Sequence, residues 1–148
     1  MTRRTIREKN ILFICVDNSS TSQIAEAIAK RLAPPQIRIY SASITPGGIH
    51  PHAAEIMREV DISISDQHPK GFESVPLNEI DLAITLGEGP EKYPNLPAGV
   101  RLQHWSIPDP QHASGGEAAM QAVYRYVRDE IDKKVAALFL DYWRNLAH

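Results

Sequence analysis

The chain has 148 residues, 43% of them hydrophobic and 23% charged, with a formal net charge of −2 and a single cysteine. That length supports one domain spanning residues 1–148, able to bury about two-thirds of its unfolded surface. The composition is that of an ordinary globular protein, and the near-neutral charge supplies no attraction to nucleic acid or to an anionic membrane.

One cysteine excludes an intrachain disulfide. No run approaches the ~20 apolar residues of a membrane span, and Ile11 to Val16 is too short for the apolar core of a signal peptide. A cytoplasmic location is therefore expected, with no membrane and no nucleic acid among the partners. Residues 1–9, with Arg3, Arg4, Arg7 and Lys9, read as a solvated, flexible lead-in.

In chain order, Ile11 to Ile14 is a short apolar run of strand formers. A helix is expected from Ser22, with Ile24, Ala25, Ile28 and Leu32 on one face, and Pro34-Pro35 ends it. Ile37 to Ala42 is a second strand, in which Ile37, Ile39 and Ser41 alternate with Arg38 and Tyr40. Thr45-Pro46-Gly47-Gly48 is a turn, and Pro51 opens a helix whose buried face carries Ala53, Ala54, Ile56, Met57 and Val60. Asp61 to Lys70 is polar and irregular.

Asp81 to Leu86 reads as a buried strand ending in the Gly87-Glu88-Gly89-Pro90 turn, and Val100 to Ile107 as a fourth strand. From about Glu117 a long helix keeps Met120, Val123, Tyr124, Val127, Ile131, Val135, Leu138 and Tyr142 on a core-facing stripe. Its end, with Leu138, Phe139, Tyr142, Trp143 and Leu146, is apolar around more than one face and offers a surface for a protein partner or a second copy. Alternating strands and helices predict an α/β fold with a parallel sheet and a site outside the strands' C-terminal ends.

One stretch carries chemistry. Between the first strand and the first helix lies Cys15-Val16-Asp17-Asn18-Ser19-Ser20-Thr21-Ser22. A strand that turns through small polar residues into a helix points unsatisfied amides into one concavity, and these amides and the helix dipole favour an anion. Cys15 stands at the mouth of that cradle, where the same field favours a thiolate and a solvent-reachable thiol is expected. Ser22 also suits a helix N-cap, and Asn18 a left-handed turn. Asp109-Pro110 is also a common turn dipeptide. His50 and His52 lack further ligands at metal-binding spacing and read as a loop and helix start, so no metal and no cofactor is expected.

The stretch resembles the signature loop of low-molecular-weight protein tyrosine phosphatases and the related thiol-dependent arsenate reductases, Cys-x-Gly-Asn-x-x-Arg-Ser. Cys15, Asn18 and Ser22 match; Asp17 replaces the glycine and Thr21 the arginine. The resemblance continues in order through Gly48 to Ala53, Met57 to Val60, Asp61 to Ser65 (similar to Gly-Ile-Asp-x-Ser) and Asp81 to Leu86. Gln103-His104-Trp105, Asp109-Pro110 and Tyr124 to Ile131 are most similar to the arsenate-reductase branch. It implies a phosphotyrosine phosphatase I-like, flavodoxin-like fold, a three-layer α/β/α sandwich around a four-stranded parallel sheet.

The resemblance also implies roles. Cys15 is the nucleophile that forms a phosphocysteine, and Asp109 the general acid. Ser22 hydrogen-bonds the thiolate, Asn18 fixes the loop, and the amides of 16–22 hold the oxyanion.

The substitutions bear on those roles. An arginine fork bonds two oxygens of the transferring group, whereas Thr21 offers one uncharged hydroxyl. An oxyanion donor is worth about 10²–10³ in rate and a charge-stabilising arginine in phosphoryl transfer about 10³–10⁵. At ~5 Å and an effective dielectric of ~20, Asp17 opposes each unit of anionic charge by roughly 3 kcal/mol before screening. The arsenate-reductase branch relays a disulfide through two further cysteines, at positions that align near Gly87 and Tyr93, and this chain has no second cysteine. The expectation is a catalytically impaired family member, an anion-pocket binding or regulatory module for a phosphate-like oxyanion or a phosphoprotein. The alternative is an active cysteine-dependent phosphatase with an altered substrate or a substitute cation.

Overall fold

The computed structural model describes residues 9–15, 19–44, 48–64, 66–67, 70–88, 96–110 and 113–146, without the side chains of 19 and 141–146. The basic lead-in up to residue 8, Val16, Asp17 and Asn18 of the loop, and the 45–47 and 89–95 segments lie outside the described residues.

β1, Asn10–Cys15, is the organising strand: Ile11, Leu12, Phe13 and Ile14 are all fully buried. β2 is Arg38–Ser43, β3 Leu82–Gly87 and β4 Arg101–Ser106; they form one sheet in the order β2-β1-β3-β4. Every pairing is parallel, as the alternation of elements predicts. The two inner strands, β1 and β3, are buried on both faces and so carry continuous apolar runs.

Alternate side chains of β1 serve different layers. Ile11 and Phe13 pack with α1 (Ser19–Leu32), α2 (Pro51–Arg58) and α3 (Gly116–Leu146), through Ile24, Ile28, Ile56, Met57, Tyr124 and Ile131. Leu12 and Ile14 meet Val75 and Ile80, with Tyr40, Phe72, Leu77, Leu96 and Val100 at the margin. The three-layer α/β/α arrangement is therefore present, with its third layer built on two 3-10 helices, Phe72–Ser74 and Leu77–Glu79.

Three details differ from expectation. α1 starts at Ser19 instead of Ser22, which makes Ser22 the fourth helical residue and not the N-cap. Val60 is 36% exposed and lies beyond α2. The cause is a Schellman ending: Asp61 takes φ 62°, its amide donates to the Arg58 carbonyl, and the Ile62 amide donates to the Met57 carbonyl. The chain thus turns Val60 outward and brings Ile62 and Ile64 against the core. On α3, Tyr124, Val127, Ile131 and Val135 are buried as expected, and Phe139 joins them at 1% exposure while Leu140 faces solvent. The side chains of Tyr142, Trp143 and Leu146 lie outside the described residues.

Candidate functional site

The site is assembled where β1 and β2 end and α1 begins. Cys15 closes β1 and pairs in register with Ser43, the last residue of β2. In a parallel sheet, paired residues on neighbouring strands point to the same face, and the strands lie about 4.8 Å apart. Both side chains turn toward α1. The sulfur lies 2.9 Å from Ser22 Oγ, to which the thiol donates, and 3.2 Å from Ser43 Oγ. The expected thiol–Ser22 pair is therefore present.

Cys15 is not the solvent-reachable thiol that the sequence suggests. It is 1% exposed, with Ser22 and Ser43 equally buried, because the first turn of α1 lies directly over the strand end. That turn itself carries no acidic residue, so the helix dipole there favours an anion and the acidic residue of the junction is the loop's Asp17. Ser20 and Thr21 are buried there, at 0% and 4% exposure. Ser20 Oγ accepts the backbone amide of His50 at 2.8 Å and ties the turn to the start of α2. His50 in turn caps α2, its Nδ1 accepting the His52 amide, and its ring stacks on His52.

Beside the thiol lies a buried polar cluster that sequence reasoning missed. Glu26 of α1, 4% exposed, accepts hydrogen bonds from Ser41 Oγ, Lys30 Nζ and, at 3.3 Å, Lys70 Nζ. Burial alone would push its carboxyl up. Hydrogen bonds from Lys30 and Ser41 and the charges of Lys70 and Lys30 outweigh burial and hold it below the usual carboxylate range. Lys70 also donates to Ser41 Oγ at 3.3 Å, and its carbonyl accepts the Ser43 amide at 2.9 Å. Gln67 donates to Gln23 Oε1 at 2.7 Å and to its carbonyl at 3.0 Å. Gln67 and Lys70 are thus fastened to α1 and the edge of β2. No local pattern announces contacts between residues 44 apart.

Asp109 enters from the far end of β4. The Ile107 amide donates to the Gly87 carbonyl, and the Asp109 amide donates to Glu88 Oε1 at 2.6 Å. Leu86, two residues before Glu88, pairs with Cys15 across the sheet. β1, β3 and the Asp109 segment therefore end at the same sheet edge, as the fold class requires. His104 lies on the opposite face of the sheet from Cys15, its Nδ1 2.7 Å from Thr85 Oγ1.

A family model described as low molecular weight phosphotyrosine protein phosphatase matches residues 10–147. An arsenate reductase of Bacillus subtilis (strain 168) is 39% identical over 131 residues, covering 88% of this chain and 94% of that protein. One from Oceanobacillus iheyensis is 37% identical over 129 residues, covering 86% and 93%. Among solved structures, an arsenate reductase in the phosphate binding state superposes with a TM-score of 0.74 at 29% identity, covering 90% of this chain and 98% of that one. With the fold, the thiol–serine pair and these matches in agreement, the chain belongs to the low-molecular-weight phosphotyrosine protein phosphatase family, which includes its arsenate-reductase relatives.

Proposed function

We propose that this chain is a catalytically impaired member of its family, a cytoplasmic pseudophosphatase whose Cys15 pocket binds a phosphate-like oxyanion or a phosphoprotein as a recognition or regulatory module. The observation that carries this reading is Thr21. It sits buried in the first turn of α1, next to the serine that holds the sulfur, where the family places its arginine. Lys70 is brought to this corner by its own backbone, but its ammonium is engaged by Glu26 and Ser41. Arg125 and Arg128 are paired with Glu59. A transferring group with two or more negative charges would meet backbone amides and hydroxyls in place of the arginine fork, and the loop sequence adds the acidic Asp17 where the family has glycine.

Oxyanion binding survives more readily than turnover under these substitutions, because ground-state binding needs fewer donors than a charge-separating transition state. The relatives are named arsenate reductases. A disulfide relay within this chain would need a second sulfur, and the sequence holds one cysteine. The thiol–Ser22 pair at 2.9 Å favours a second reading, a cysteine-dependent phosphatase acting on an altered substrate. Assays of the purified chain on an aryl phosphate, and on arsenate with an external dithiol, separate the two. Rates near those of Cys15→Ser are expected; turnover typical of an intact family member, abolished by Cys15→Ser, overturns the proposal.

A further inference from the structure

We propose that Ser43 is a second thiolate-stabilising hydroxyl for Cys15, acting from β2 and not from the signature loop. The inference rests on the reading of Cys15 as the thiol of this site, and it assigns a residue outside the Cys15–Ser22 loop. Three observations carry it. The parallel register sets Ser43 beside Cys15, and its Oγ lies 3.2 Å from the sulfur. Ser43 is 1% exposed, so water does not compete for its hydroxyl. The Ser43 backbone is also fixed, because its amide donates to the carbonyl of Lys70, whose ammonium is anchored on Glu26 and Ser41.

The chemistry follows from the proton count. A thiol has one proton to donate, and it is directed at Ser22 Oγ. When that proton leaves, the sulfur becomes an acceptor only, and both hydroxyls rotate to donate to it. Hydrogen bonds to the charged form favour that form. The family arginine would have added a full positive charge near the sulfur. In its absence, with Asp17 in the loop, Ser43 supplies a neutral donor that partly offsets the loss. Ser43 thereby keeps the sulfur ionisable although Cys15 itself is only 1% exposed.

Cys15 is the sole cysteine, so the ultraviolet absorbance of thiolate, taken as a difference against Cys15→Ser, reports this sulfur alone. The experiment titrates that signal with pH in the full chain for the wild type, Ser43→Ala and the near-isosteric pair Ser43→Thr and Ser43→Val. The midpoint is expected to rise by about one pH unit in Ser43→Ala and Ser43→Val, about tenfold less thiolate at a given pH below it, while Ser43→Thr stays near the wild type. A midpoint unchanged in Ser43→Ala, or equal in the Thr and Val variants, overturns the proposal. If Ser43→Ala does not fold, the Thr/Val pair decides the matter. The titration involves no turnover: an active wild-type phosphatase would defeat the pseudophosphatase reading and leave this result standing.

Discussion

Lys70→Met removes one cation from a carboxylate that is almost sealed from water. The Glu26 side chain is 5% exposed, and Lys70 Nζ lies 3.3 Å from its Oε1. At an effective dielectric of ~20, that separation corresponds to roughly 5 kcal/mol of gross attraction. Desolvation of the ammonium cancels part of it, since Lys70 is only 20% exposed. A buried charge stripped of its partner costs about 3–5 kcal/mol. Here Lys30 and Ser41 still hold the carboxylate, so the net loss should be about 2 kcal/mol.

The pH dependence has a definite sign. Glu26 ionises more readily folded than unfolded, so its contribution is complete above its unfolded value of 4.5 and fades as pH falls through the lower folded value. Without Lys70, burial is less opposed and the folded value rises. The gap between wild type and variant is therefore widest at neutral pH and closes in acid. Urea unfolding of both proteins at neutral pH and in acid measures it. Glu26→Gln/Lys70→Met should recover part of the loss, because the uncompensated charge is gone. A change within about 0.5 kcal/mol at neutral pH, the scatter of ordinary surface substitutions, or a gap that is flat with pH, would refute the reasoning.

Asp61→Gly should stabilise the protein by about 1 kcal/mol in urea unfolding, since φ 62° at the end of α2 suits glycine better than a residue with a Cβ; a loss of stability would mean that the aspartate side chain matters more than its backbone strain. Phe139→Ala should cost about 3–5 kcal/mol by the same assay, because a fully packed ring leaves the base of the core. Glu59, held down to about 2 by hydrogen bonds from Arg125 and Arg128, contributes stability that is complete above 4.5 and lost as pH falls through about 2. The difference between wild type and Glu59→Gln should shrink over that window and also with added salt, since Glu59 and Arg125 lie toward the surface.

The fold was legible because its strongest signals are local. The Ile11 to Ile14 run, the proline pair after α1 and the stripe on α3 each fix an element without knowledge of its neighbours. Cys15 and Ser22 were legible because a strand–turn–helix junction and a resemblance pointed to the same residues. The cluster of Gln23, Glu26, Ser41, Gln67 and Lys70 was not. On a helical wheel Gln23 and Glu26 look solvated, but both are buried and bonded to Ser41 of β2 and to Gln67 or Lys70. Asp61 hid the left-handed turn that sends Val60 outward, since aspartate signals that turn less strongly than glycine. Ser43 had a signal that register arithmetic could have used: in a parallel sheet, residues that end adjacent strands share one edge of the site.

The central claim is that this chain retains the family's catalytic frame and lacks the charge that makes it turn over. The most direct test is hydrolysis of an aryl phosphate by wild type, Thr21→Arg and Asp17→Gly/Thr21→Arg, each against its Cys15→Ser counterpart. The account predicts a wild type near its Cys15→Ser background and a gain of about 10²-fold or more when arginine and glycine are both restored. A wild type that already turns over through Cys15 as fast as the restored variant would contradict it.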